Sequence, residues 1–253
     1  MNAISLSTHF KNYFQIILAC TPELVSRVQR IRYEVYCREF HYESEENCPA
    51  GLERDEYDEN SLHCLVVYTA GGADAGCVRL IKTPADNLDY PLPLEKFCAH
   101  SLTHPILHPK KLPRTDIAEI SRLAVHTNFR RRLGESESPF GRLSEVNITE
   151  EERRTFPLIS FALFAAGAAL MALSHKNDLF IMVEPRLAKR LQNLGLPFIQ
   201  IGELLDYHGM RAAYHVTTEQ LLKDMRGEMR ELYDYVYSHL KIDFDKAGLH
   251  PIQ

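Results

Sequence analysis

At 253 residues, with 45% hydrophobic and 25% charged residues, the chain has the balance of an ordinary globular protein and can bury a core without disulfide or metal staples. A formal net charge of −5 and a pI near 6.2 exclude a protein whose whole surface binds nucleic acid or another polyanion. The six cysteines include no CxxC pair, which argues for reduced thiols in a cytoplasmic protein and against a zinc site.

Residues 1–20 lack the cationic start, apolar run and cleavage site of a secretory signal. Thr21-Pro22-Glu23 reads as a helix start, with a cap followed by proline at the first position. Leu24, Val28, Ile31 and Val35 then recur at helical spacing, so an amphipathic helix is expected over 22 to about 40, with Arg32 and Tyr36 on one side. A polar, acidic loop runs from Glu43 to Asn60. Leu62–Thr69 and Gly76–Thr83 read as two strands of a hairpin turned at Gly71-Gly72. Residues 84–114 are proline-rich and irregular, with a short helix expected near Leu94–His100. Asp116–His126 alternates like a third strand.

Residues 128–154 are charged and read as an insertion. Thr155–Ser174 carries no charge and is long enough to span a bilayer, but its alanines, its Gly167 and Pro157 in the first turn fit a buried core helix better. Leu179–Val183 reads as a buried strand, Arg186–Leu194 as a helix stopped by Gly195, and Phe198–Ile201 and Ala212–Val216 as the last strands. Thr217 or Thr218 caps a final helix carrying Leu221, Met225, Met229, Leu232, Val236 and Leu240. The order of elements gives a mixed sheet with helices on its faces, in one α/β domain.

A charged set stands out in the first half: Arg32, Asp55, Asp58, Arg79, Glu119 and Arg122. Arg79 shares a strand face with Cys77 and Ile81, where a guanidinium needs carboxylate partners. Asp55 and Asp58 precede the neighbouring strand and can supply them. Glu119 lies between Ile117 and Ser121 on one face of the third strand, whereas a regular strand puts Arg122 on the other; a bulge near Ser121 brings the two together. The residues alone leave two readings open, an ion-pair network that fixes the 43–60 loop, or a site.

Four motifs in order, RYEVYCREFHY (32–42), GLERDEYD (51–58), GCVRLI (76–81) and EISRLAV (119–125), resemble the acyl-homoserine lactone synthases, the autoinducer branch of GNAT proteins, over roughly residues 20–126. Arg32, Tyr36 and Tyr42 match that family's Arg, aromatic and Trp, with Tyr42 standing for the Trp. Glu53, Asp55 and Asp58 match its E-x-D-x-x-D, Arg79 its strand Arg, and Glu119, Ser121 and Arg122 its E-x-S-R. The chain's length, its insertion and its last helix look more like the related N-acyl amino acid synthases and the acyltransferases associated with PEP-CTERM/exosortase gene sets.

The resemblance implies a GNAT-like α/β (α+β) fold, with a mixed, mainly antiparallel central sheet and helices on both faces. It would span 1–253 as one domain, with an insertion at about 128–154 and an added helix at about 218–240. The implied reaction is transfer of a long-chain acyl group from a phosphopantetheine thioester, on acyl carrier protein or coenzyme A, to the amine of an amino acid, with no tightly bound cofactor and no metal. Glu119 is then the base for the amine proton, directly or through a water. Arg32, Tyr36, Tyr42, Asp55, Asp58, Arg79, Ser121 and Arg122 shape the acceptor pocket. Backbone N–H groups of Leu123, Ala124 and Val125 polarise the thioester carbonyl.

Arg130, Arg131 and Arg132 offer charge to an acidic carrier protein, or are a solvated charge run. The small residues Ala162, Ala165, Ala166, Gly167, Ala168 and Ala169 leave room for an acyl chain, or simply pack tightly on the sheet. A lactone synthase using S-adenosylmethionine, and a non-catalytic acyl-ligand sensor on the same scaffold, are the competing functions. His100, His104 and His108 recur every four residues, but Pro105 and Pro109 break any helix that would align them as ligands.

Overall fold

The computed structural model describes residues 5–130 and 150–249, with side chains for all of these except 130 and 150–157. Most of the expected insertion, including Arg131 and Arg132, and the side chain of Arg130 lie outside the described residues.

Helix α1 (Leu6–Tyr13) is capped by Ser5 and runs directly into strand β1 (Phe14–Leu18). Helix α2 (Pro22–Arg32) starts on the Thr21 cap, whose side chain accepts from the Leu24 N–H at 3.3 Å. The single helix expected to about residue 40 instead changes at Tyr33 into a π-helical turn (Tyr33–Glu39), sealed where the Phe40 N–H reaches the Val35 carbonyl at 3.1 Å. Strands β2 (Ser61–Tyr68) and β3 (Asp74–Lys82) form the hairpin; the short helix α3 (Pro93–Phe97) and strand β4 (Ile117–Val125) follow, then a turn of helix, α4 (Thr127–Arg130). Helix α5 (Glu150–Leu173), strand β5 (Asp178–Val183), helix α6 (Pro185–Asn193) and strands β6 (Ile199–Gln200), β7 (Leu205–Asp206) and β8 (Met210–Thr217) complete the sheet. The single last helix expected over 218–240 is two, α7 (Thr218–Asp224) and α8 (Gly227–Lys246), because Met225 and Arg226 leave the helical region and Gly227 takes a positive φ of 54°.

The sheet order is β1-β2-β3-β4-β5-β8-β6, with β7 on β8. Every neighbouring pair is antiparallel except β4 and β5, which pair in parallel only over Ile117–Ile120 and Asp178–Ile181. Beyond that point β4 continues against β3 and β5 against β8, so the middle of the sheet parts. This is a GNAT-like, mostly antiparallel sheet.

Strand alternation sorts its two faces. Cys64, Val66, Val78, Leu80, Leu179 and Ile181 point to the face covered by α1, α5, α7 and α8, while Leu65, Val67 and Cys77 point to α2 and its π turn. Helices therefore cover both faces, as expected. The apolar α5 lies between the sheet and α8, and among the described residues no helix is long and apolar enough to cross a membrane. Its small residues serve tight packing: Ala162, Ala165, Ala166 and Ala169 are fully buried, and a Cβ on Gly167 would sit 2.3 Å from Ile120 Cδ1.

Candidate active site

The expected bulge is present in β4. Cys77 pairs with Ala124 and Arg79 with Ser121, so two residues of β4, Arg122 and Leu123, stand opposite one of β3, Val78, and Arg122 takes a positive φ of 48°. An arginine in that region is uncommon and marks a constrained position. The extra residue reverses the alternation. Ala118 and Ile120 before it, and Leu123 and Val125 after it, all face the α5 side, which frees Arg122 to join Glu119 on the opposite face.

There the charged side chains close into a ring. Arg32 pairs with Glu53, and Glu53 Oε1 accepts from Arg122 Nη2 at 3.0 Å. Arg122 lies 3.5 Å from Asp55, whose two oxygens accept from Arg79 Nη1 and Nη2 at 2.5 and 2.8 Å. Arg79 Nη1 also reaches Asp58 at 2.7 Å, and Asp58 returns to Arg32 Nη1 at 2.6 Å. Glu43 adds a seventh member, accepting from Arg122 at 2.7 Å.

The loop makes its carboxylates available by folding on them. Asp58 accepts from the Asp55 N–H at 3.2 Å, and Asp55 from the Tyr57 N–H at 3.0 Å. Burial alone would raise all three ring carboxylates, but the arginines overcome it and hold Glu53, Asp55 and Asp58 below the usual carboxylate range. His63, opposite Arg79 on β2, is pushed down to about 4 by burial and by the Arg32 guanidinium, so it adds no charge near neutrality.

A cavity of about 350 Å³ opens where β4 and β5 part. Its polar wall includes Glu43, Glu53, Asp55, Arg79, Glu119, Ser121 and Arg122; its apolar wall includes Ile120, Leu123, Phe164, Ile181 and Val183. It thus passes from one face of the sheet to the other. Glu119 is 3% exposed, and its Oε2 accepts from the Leu94 N–H at 2.9 Å. That N–H belongs to the first turn of α3, where no preceding helical carbonyl is placed to accept it, so Glu119 satisfies an otherwise orphan donor. Burial pushes Glu119 up to about 8, against the Leu94 hydrogen bond and the positive charge of Arg79 and Arg122. The competition between burial and Arg122 is therefore won by burial.

The other expected site residues divide. Ser121 accepts from Arg79 Nε at 3.0 Å, so it anchors the ring as well as lining the cavity. Tyr36 donates to the Leu123 carbonyl at 2.9 Å and lies beneath Arg122, whose guanidinium is 5.2 Å from the ring centroid. Arg32 and Asp58 do not line the cavity. Arg32 is fully buried behind its wall and bears on the pocket only through Glu53 and Asp58.

Tyr42 also stands back from the cavity. It stacks on His208 at 4.6 Å and lies under Arg211 at 5.7 Å, supporting two residues that do line it. Of Leu123, Ala124 and Val125, only Leu123 lines the cavity; Ala124 and Val125 pair with Cys77 and Gly76 in the ladder. His104 and His108 use their Nδ1 atoms to accept backbone N–H groups of their own loop.

Several lining residues escape sequence reading. Glu43 carries no motif. Tyr57 sits inside GLERDEYD but matches none of the motif's charged positions. Tyr207 and His208 come from the β7–β8 turn and Arg211 from the start of β8, a hairpin marked only by the His208-Gly209 pair, both at positive φ.

Comparison with known proteins agrees with this geometry. The family described as Acetyltransferase (GNAT) domain matches residues 31–136, a span holding the whole ring and Glu119. No curated protein gives a significant match. Among solved structures, the acyl-homoserine lactone synthase LasI superposes with a TM-score of 0.56 at 17% identity, covering 85% of this chain and 96% of LasI. The CoA-dependent acyl-homoserine lactone synthase BjaI, bound to SAM and isopentyl-CoA, gives 0.54 at 19% identity, covering 88% and 89%. FeeM, an N-acyl amino acid synthase from uncultured soil microbes, gives 0.50 at 16% identity, covering 84% and 94%. These are likenesses of fold; together with the GNAT-domain match over residues 31–136 they support an enzyme of the acyltransferase class.

Proposed function

We propose that the chain is an N-acyltransferase moving an acyl group from a thioester on acyl carrier protein to the amine of an amino acid. The observation that carries this reading is Glu119, a buried carboxyl held at about 8 on the wall of a cavity that is ionic on one side and apolar on the other. A base poised near the working pH is what an ammonium acceptor needs before it can attack. The Glu119 carboxylate takes a proton from the ammonium, directly or through a water. The freed amine nitrogen then bonds to the thioester carbonyl carbon, the carbon–sulfur bond breaks, and the nitrogen's surplus proton passes to the departing sulfur, which leaves as the thiol. Charge developing on the carbonyl oxygen meets the backbone of the bulge at Leu123. Asp55, Arg79 and Arg122 hold the acceptor side rigid, while Ile120, Ile181 and Val183 take the acyl chain.

Acyl carrier protein is preferred over coenzyme A because Arg130, Arg131 and Arg132 follow β4 and suit an acidic partner, whereas that stretch has only one glycine, Gly134, to bind pyrophosphate. The fold shared with LasI and BjaI favours a second reading, a lactone synthase acting on S-adenosylmethionine.

Incubation with carrier-protein and coenzyme A thioesters, a panel of amino acids and S-adenosylmethionine, read by mass spectrometry, tests both. An N-acyl amino acid with its free carboxylate is expected. A lactone product assigns the second reading instead. No product from any pair, with Glu119→Gln indistinguishable from wild type, leaves a binding protein.

A further inference from the structure

The size of the cavity carries a statement about the donor that rests on the acyl-transfer reading. A cavity of 150 Å³ lined by Leu, Ile and Phe holds one benzene, so each non-hydrogen atom needs about 25 Å³. On that scale the 350 Å³ here holds about fourteen such atoms. The acceptor's backbone atoms and the thioester carbonyl occupy about half of them, leaving room for about six to eight acyl carbons.

One aromatic residue of helix α5 borders this space. Among the described residues, Phe164 is the only part of α5 that lines the cavity, and α5 is the layer closing that face of the sheet. Phe164 is half-buried beside neighbours that are fully buried and small, Ala165 and Ala166. The helix is already seated as close to the sheet as its side chains allow. Gly167, one turn on from Phe164, has space for no Cβ against Ile120, and Ile120 is itself a lining residue. The small residues of α5 therefore fix its distance from the sheet, and the aromatic decides how deep the cavity runs.

We propose that the site accepts medium-length acyl chains, of about six to eight carbons, and that Phe164 sets the limit. This replaces the long chain implied by the sequence resemblance.

Titration calorimetry with a series of non-reactive acyl-pantetheine amides, four to sixteen carbons long, tests it without requiring turnover. Affinity is expected to rise about fourfold with each enclosed methylene and to level off near eight carbons. Phe164→Ala moves the plateau about three or four carbons further, and Phe164→Leu gives an intermediate shift that guards against misfolding of the larger truncation. Affinity that keeps climbing to sixteen carbons in the wild type, or a plateau unmoved in both variants, overturns the proposal. A plateau that behaves as described in a protein that acylates no amine would instead sink the acyl-transfer reading and leave the chain-length limit standing.

Discussion

Replacing Glu119 with glutamine separates chemistry from stability, because the structure assigns the two effects different pH dependences. In the wild type the carboxyl is held at about 8 instead of its ordinary 4.5. Each unit is worth about 1.4 kcal/mol, so burial favours the protonated form by on the order of 5 kcal/mol. The folded state binds this proton more tightly than the unfolded chain does. The group's contribution is therefore complete below pH 4.5, falls by about 1.4 kcal/mol per pH unit up to pH 8, and is flat above it.

Glutamine is the neutral shape of the same side chain and can still accept from the Leu94 N–H. Glu119→Gln should thus match the wild type in urea unfolding near pH 5 and exceed it increasingly towards pH 8. The same variant should lose about 10²–10⁴-fold in turnover, and the wild-type rate should climb through an apparent pKa near 8. Parallel unfolding midpoints for the two proteins from pH 5 to 9 would refute the reasoning, since they would place Glu119 in an ordinary solvated environment.

The ring carboxylates predict the opposite slope in acid. Glu53, Asp55 and Asp58 lie below their ordinary values, so their stabilisation is present above about pH 4 and lost as pH falls through the depressed range; unfolding midpoints should peak between pH 4 and 5. Arg79→Met should cost about 3–5 kcal/mol in urea unfolding by leaving Asp55 only Arg122 and Asp58 only Arg32 as guanidinium partners, and adding Asp55→Leu should recover part of that loss. Gly167→Ala should cost about 1–3 kcal/mol, with Ile120→Val restoring much of it because Val lacks the Cδ1 atom that meets the new Cβ.

Much of this fold is legible in the sequence because its central elements bury strongly patterned residues. The hairpin of β2 and β3, β4, and the apolar α5 follow from alternation and helical spacing. The bulge at Arg122 could be anticipated because Glu119 and Arg122, three apart in a strand, belong on one face only if an extra residue intervenes. Other features leave no local trace. The amphipathic pattern of α2 runs unbroken into Val35, and nothing in it marks the π turn. Helix α1 and β1 are short and join without a turn signal, and their burial depends on α8, more than two hundred residues away. Tyr207, His208 and Arg211 reach the cavity only because β8 pairs with β5, a long-range fact no motif records.

The closed ring limits how this protein can change. Each of its six charges has two partners of opposite sign within the ring, so altering any one leaves the charge on either side with part of its compensation gone. Single steps away from this arrangement pass through a destabilised intermediate, while matched exchanges of one cation and one anion do not. Strong epistasis is the consequence: the effect of a substitution at Arg79 is set by what stands at Asp55 and Asp58, and at Arg122 by Glu53. Four segments spread across ninety residues of sequence are bound to vary as one unit, whatever happens to the rest of the chain.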